Sequence, residues 1–241
     1  FNPVRFTYYD IHCSYYDAVR KRYTIFGGFG NMYYSNKFYM FNAEEGRWNT
    51  LGSLSGDFLC PRYFSSAGYL DSNHSVYIFG GMGNESGDQV IGRCYFHDFY
   101  KVDLQEMRVQ KLWDISEGQP NMVPAQDMVI LNDSCFYVLR YPESVSNSFL
   151  HLYRFSVEDG SCHILGDSIP IYSDKITTNA RLYYNERQSR LFVTVQETSD
   201  DVSSKFSVYS LLFPPVSLEK YTANNGGGNA SHVWLVLVAA V

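Results

Sequence analysis

The chain has 241 residues, a formal net charge of −6, and 45% hydrophobic and 17% aromatic residues. That length suits one large all-β domain, and 21 Tyr with 17 Phe favour strands and aromatic packing over long helices. No basic run occurs, which argues against a nucleic-acid surface, and no stretch has the stripe of a long amphipathic helix.

The chain begins at Phe1 with no initiator Met or signal peptide, and the expectation is a piece cut from a longer protein. Its organising stretch is Tyr23 to Leu51, which reads as two β-strands, a loop and two more strand-length runs, with the di-glycine Gly27-Gly28 after the first strand and Trp48 near the end. A second copy starts at Val76 with VYIFGGMGN, a period of about 50 residues, which marks a repeat architecture. A short step with turn residues leads from Tyr16 to Ile25, Tyr69 to Ile78, Ile130 to Leu139 and Tyr184 to Val193, a hairpin spacing each time. Downstream, Phe38-Tyr39-Met40-Phe41, Phe99-Tyr100-Lys101-Val102 and Leu152-Tyr153-Arg154-Phe155 each precede a polar turn and a further strand. The unit is four short antiparallel strands, and at this period such a sheet is one blade of a β-propeller.

These residues resemble the kelch repeat: Gly-Gly after the second strand, Tyr in the third, Trp in the fourth. The first copy carries Gly27, Gly28, Tyr39 and Trp48; the second keeps Gly80, Gly81 and Tyr100, with Val109 at the Trp position. The third keeps Tyr153 but places Arg140 and Tyr141 at the di-glycine and Cys162 at the Trp, and the fourth keeps only the strand rhythm. The resemblance implies an all-β propeller over residues 1–222, with blades about 8–52, 61–115, 122–167 and 178–221. Four blades are fewer than most propellers have, so further blades of the same protein, or associating copies, are expected. The glycines read as sites of positive φ or close backbone approach. No helix follows Gly27-Gly28-Phe29-Gly30, so a phosphate-cradling loop is a poor reading.

The longest internal loop is Met82 to Cys94, between the second and third strands of the second blade; Tyr141 to Ser148 is its counterpart in the third, and Glu197 to Ser204 in the fourth. After Phe213-Pro214-Pro215, with Val216 to Tyr221 as a candidate last strand, residues 223–232 form a Gly/Asn linker. The nine apolar residues Val233 to Val241 read as the start of a truncated transmembrane helix, with a closing propeller strand as the alternative.

The five cysteines (Cys13, Cys60, Cys94, Cys135, Cys162) show no CxxC or metal-ligand spacing and read as mostly buried free thiols. The six histidines (His12, His74, His97, His151, His163, His232) form no metal motif. No metal and no cofactor is expected. Four Asn-x-Ser sequons occur, at Asn73, Asn84, Asn132 and Asn229.

Kelch propellers bind protein segments or sugars with loops around the channel mouth. Here that face is expected to offer Asn31, Tyr33, Tyr34, Arg62, Arg93, Arg140, Tyr141 and Arg181, since Tyr and Arg combine large contact area with directed polar groups. Arg140 draws most weight, because a charge at the di-glycine position must reach water or a partner. The expected function is recognition: an extracytoplasmic propeller of a membrane-anchored sensor or receptor, with a protein segment or glycan as ligand. The alternative is a carbohydrate-active kelch enzyme, galactose-oxidase-like or sialic-acid mutarotase-like; no Asp-box turn marks a sialidase.

Overall fold

A computed structural model describes residues 11–17, 20–172, 179–198, 204–216 and 235–240. The expected linker at 223–232, and all but Val216 of the candidate strand Val216 to Tyr221, lie outside them.

The described chain is all-β. The first sheet orders β1 (Cys13–Asp17), β2 (Arg22–Phe26), β5 (Phe38–Asn42) and β6 (Arg47–Thr50); the two-residue strands β3 (Phe29–Gly30) and β4 (Tyr33–Tyr34) form a small hairpin between β2 and β5. Short strands β7 (Ser55–Gly56) and β8 (Arg62–Tyr63) lead into β9 (Ser66–Leu70), β10 (Ser75–Gly83), β11 (Cys94–Asp103) and β12 (Arg108–Asp114). Next come β13 (Val123–Ile130), β14 (Cys135–Tyr141), β15 (Asn147–Ser156) and β16 (Cys162–Tyr172), then β17 (Asn179–Asn185), β18 (Arg190–Thr198), β19 (Ser204–Leu212) and β20 (Leu235–Ala240). The chain thus makes four successive four-stranded antiparallel meanders. The middle two join through a parallel pairing of Asp127 with Ala67, giving a ten-stranded sheet that includes β7 and β8. No sheet closes on itself. The first strands of the units lie side by side: β1 against β9, β9 against β13, β13 against β17.

The outer turns use one device three times. Asn42 Oδ1 accepts the N–H groups of Glu44 and Glu45, Asp103 Oδ1 those of Gln105 and Glu106, and Ser156 Oγ those of Glu158 and Asp159. Each turn then closes on a residue of positive φ: Gly46, Met107 or Gly160. Side-chain oxygens that satisfy the backbone two and three residues on are why Asn, Asp and Ser occupy these positions.

Alternation along the strands splits the core into layers between meanders. Val76, Ile78, Tyr100 and Val102 pack with Cys13, Tyr15, Phe26 and Phe38 between the first and second. Tyr77, Phe79 and Phe99 pack with Phe136, Val138 and Phe155 between the second and third. This second layer is an aromatic stack: Phe99 lies over Phe136 at 4.4 Å and 15°, Phe136 over Phe155 at 5.3 Å and 11°, and Trp113 closes it, its indole N–H on the Val157 carbonyl at 2.9 Å. Leu139, Leu152, Leu182, Val193 and Leu211 belong to the layer shared by the third and fourth.

Both di-glycines have positive φ: +72° and +95° at Gly27 and Gly28, +60° and +106° at Gly80 and Gly81. Close approach adds to the demand, since a Cβ at Gly81 would sit 2.6 Å from the Tyr63 carbonyl oxygen. L-residues adopt this backbone only with strain.

At the C-terminal end, within the run 233–241, the described residues take the alternative of a closing strand where the start of a helix was expected. Leu235–Ala240 is a strand, paired antiparallel with β19 from Lys205↔Ala240 to Ser210↔Leu235. It supplies the fourth strand of the last meander, which an apolar run of valines and leucines can do as readily as it can begin a helix. Among the described residues no helix is long and apolar enough to cross a membrane.

Candidate functional site

The loops between second and third strands of the first three meanders meet at one end of the molecule. The first is the β3–β4 hairpin, whose two turn residues, Asn31 and Met32, have φ +51° and +67°. Positive φ at both central positions is the two-residue hairpin turn whose twist matches its strands, and Asn tolerates it well. The second, Gly83 to Arg93, lies across this hairpin. The Tyr34 N–H donates to the Gly87 carbonyl at 2.7 Å, the Gln89 N–H donates to the Met32 carbonyl at 3.0 Å, and Tyr33 bridges Asp88. The loop is braced internally as well. The Asn84 side-chain amide donates to the carbonyls of Asp88 and Gly92 (2.7 and 2.6 Å), and Asp88 Oδ1 caps the 3-10 turn Gln89–Ile91 through the Val90 N–H at 2.8 Å.

Four apolar side chains stand out from this braced tip: Met32 57%, Tyr33 55%, Val90 78% and Ile91 70% exposed. Beneath them the rings of Tyr34 and Tyr63 stack at 5.1 Å and 7°. The Tyr63 hydroxyl accepts from Arg93 at 3.0 Å, and Arg93 lies 3.5 Å from Glu143, which comes from the loop of the third meander. Tyr95 donates its hydroxyl proton to Glu143; burial and this bond push its pKa up to about 12. One polar chain, Tyr63–Arg93–Glu143–Tyr95, therefore ties the second and third loops together under the tip.

Of the predicted residues, Asn31 and Tyr33 lie at the exposed tip, Arg93 beside it, and Tyr34 buried below it. The remaining four lie elsewhere. Arg62 is fully buried in a bidentate pair with Asp98 (2.6 and 3.1 Å), donates to the carbonyls of Gly80 and Cys60, and stacks over Phe96 at 4.4 Å. Burial acts to lower its pKa; the Asp98 charge and hydrogen bonds outweigh this and leave it above its ordinary value. Arg62 thus anchors the start of the second meander, buried away from the loop face where it was expected.

Arg140 is also inside. It points into the aromatic layer, with its guanidinium 5.0 Å over the Tyr153 ring and Nη2 2.7 Å from His97 Nδ1. Burial lowers its pKa, and burial together with this cation brings His97 down to about 4, so a neutral imidazole accepts the bond. Stacking on rings and a neutral acceptor replaces the expected route to water. Tyr141 is buried in β14 opposite Val123. Neither Arg140 nor Tyr141 has positive φ, so β14 runs straight through where the first two copies turn on glycine. Arg181, on β17, lies 3.5 Å from Asp127 on β13, whose carboxyl is pushed up to about 6 by burial.

Sequence reasoning passed over Met32, Val90, Ile91, Tyr63, Tyr95 and Glu143. The available signal was Val90-Ile91, two adjacent aliphatics inside the otherwise polar MGNESGDQVIGRC.

All five cysteines are free, Cys94 and Cys162 exposed and Cys13 buried. Among the described residues no three His, Cys, Asp or Glu are placed to hold a metal. The sequon amides of Asn73 and Asn84 donate within the fold, and Asn132 lies in an exposed turn. No family model matches the chain, and no curated protein matches it.

Proposed function

We propose that this chain is a recognition module, part of a kelch-like β-propeller, whose ligand docks on the face built from the loops of its first three meanders. The propeller reading is supported by the four-stranded units with their first strands side by side and by the positive-φ di-glycines. The ligand reading rests on one observation: two loops from separate units are stitched by backbone hydrogen bonds into a braced tip that holds four apolar side chains in solvent. Holding apolar groups in water in a fixed array is unfavourable for a lone chain and favourable at an interface. The ligand is a protein segment or a glycan. The receptor setting, outside a membrane and anchored by residues 233–241, needs a helix there; the strand Leu235–Ala240 withdraws that support, and recognition is proposed on the loop face alone.

The test is a screen of the purified chain against displayed peptides and arrayed glycans, repeated with the Tyr33→Ser/Ile91→Ser variant and with Gln188→Ala in the turn at the opposite end. The expected result is hits lost in the loop variant and kept in Gln188→Ala. Hits indifferent to the loop variant would contradict the proposal. The carbohydrate-active enzyme has one observation on its side, the protonatable Asp127 beside Arg181 on the first strands. That alternative requires sugar turnover that disappears in Asp127→Asn.

A further inference from the structure

The braced tip has a chemical character that narrows its ligand, and the argument here rests on the loop-face reading above. Three of its four exposed side chains, Met32, Val90 and Ile91, have no hydrogen-bonding group able to serve a sugar hydroxyl; Tyr33 alone has a polar end. A glycan site needs convergent donors and acceptors, because each sugar hydroxyl taken from water must be paired again. The tip presents its apolar groups outward, and the polar chain Tyr63–Arg93–Glu143–Tyr95 is spent on itself beneath them.

The charge at the rim is negative. Glu85 is exposed and Asp88 half-buried on the same loop, and among the described residues neither is paired with a cation. Arg93, the cation on the same loop, faces Glu143. An anionic bilayer would meet this rim with repulsion, whereas a chain carrying Lys or Arg beside an apolar anchor would meet it with attraction.

We infer that the loop face binds a segment of another protein in which one or two large apolar residues are flanked by Lys or Arg. The apolar anchors seat among Met32, Tyr33, Val90 and Ile91, and the basic flanks lie along Glu85 and Asp88. The bracing by Asn84 and by the Tyr33–Asp88 bridge means that little of the tip has to be ordered on binding, which favours affinity.

The experiment selects peptides from a random phage-displayed library on the purified chain, and measures the affinity of the enriched peptides for wild type, Ile91→Asp and Glu85→Lys. Vesicles containing phosphatidylserine are assayed in parallel. Ile91 and Glu85 are exposed, so both variants should melt with wild type. The inference expects enriched peptides that combine apolar and basic residues. Affinity should fall at least about tenfold in Ile91→Asp, fall in Glu85→Lys, and weaken as salt rises from about 0.05 to about 0.5 M. Enriched peptides that lose binding in Ile91→Asp but lack basic residues and salt dependence overturn this inference and leave the loop face standing. Peptides indifferent to Ile91→Asp overturn both. Vesicle binding that depends on Ile91, or no enrichment at all, overturns the protein-segment inference.

Discussion

Arg62 and Arg140 are both buried arginines, and only one of them has a carboxylate. Arg62 shares two hydrogen bonds with Asp98 in a site closed to water, so removing the acid strands a charge in low dielectric. Asp98→Ala is therefore expected to lower stability by about 3 kcal/mol or more in a urea titration, and Arg62→Met/Asp98→Leu to recover most of the loss. A single variant within about 0.5 kcal/mol of wild type would refute the pairing. Arg140 manages without an acid by lying over Tyr153 and bonding neutral His97. These residues show where the sequence stops being legible. Residue type says that an arginine needs an acceptor; it does not say that the acceptor is a carboxylate far along the chain, or a ring. Asp98, the lone carboxylate in the aromatic-rich stretch Cys94 to Val102, was the trace of the first pair, since a carboxylate in a buried strand calls for a cation.

Strands and turns were far more legible than the side chains between them. The step from Tyr16 to Ile25 and from Tyr69 to Ile78 becomes β1–β2 and β9–β10, and the polar turns after Phe41, Val102 and Phe155 close with matching side-chain caps. Local chemistry specifies both, which is why a sequence displays them. Glycine is the sharpest case: Gly81 combines φ +106° with the Tyr63 carbonyl 2.6 Å from where a Cβ would stand. Gly81→Val is expected to lose more than about 1 kcal/mol of stability, measured by chemical denaturation; an unchanged midpoint would mean that the turn is not what holds β10 in place. The C-terminal run shows the opposite limit. Nine apolar residues suit a buried strand and a membrane helix equally, and only the pairing with β19 decides for the strand over Leu235–Ala240.

At the scale of the molecule, the repeat predicts four units of four strands, and the structure has four such meanders with layered cores between them. The proposed loop face was half legible. Asn31, Tyr33 and Arg93 lie, as expected, in loops between second and third strands; Met32, Val90 and Ile91 drew no attention because apolar residues are usually assigned to cores, and only the hydrogen bonds between loops reveal that these are held outside. The loops of separate units are proposed to act as one docking surface. Hydrogen-exchange mass spectrometry with a bound ligand from the screen tests it most directly. Protection confined to residues 29–34, 84–93 and 142–146, with the turns at 43–46, 104–107 and 186–189 unchanged, is the predicted result. Protection at those opposite turns, or in the groove lined by His151, Arg154 and His163, would contradict it.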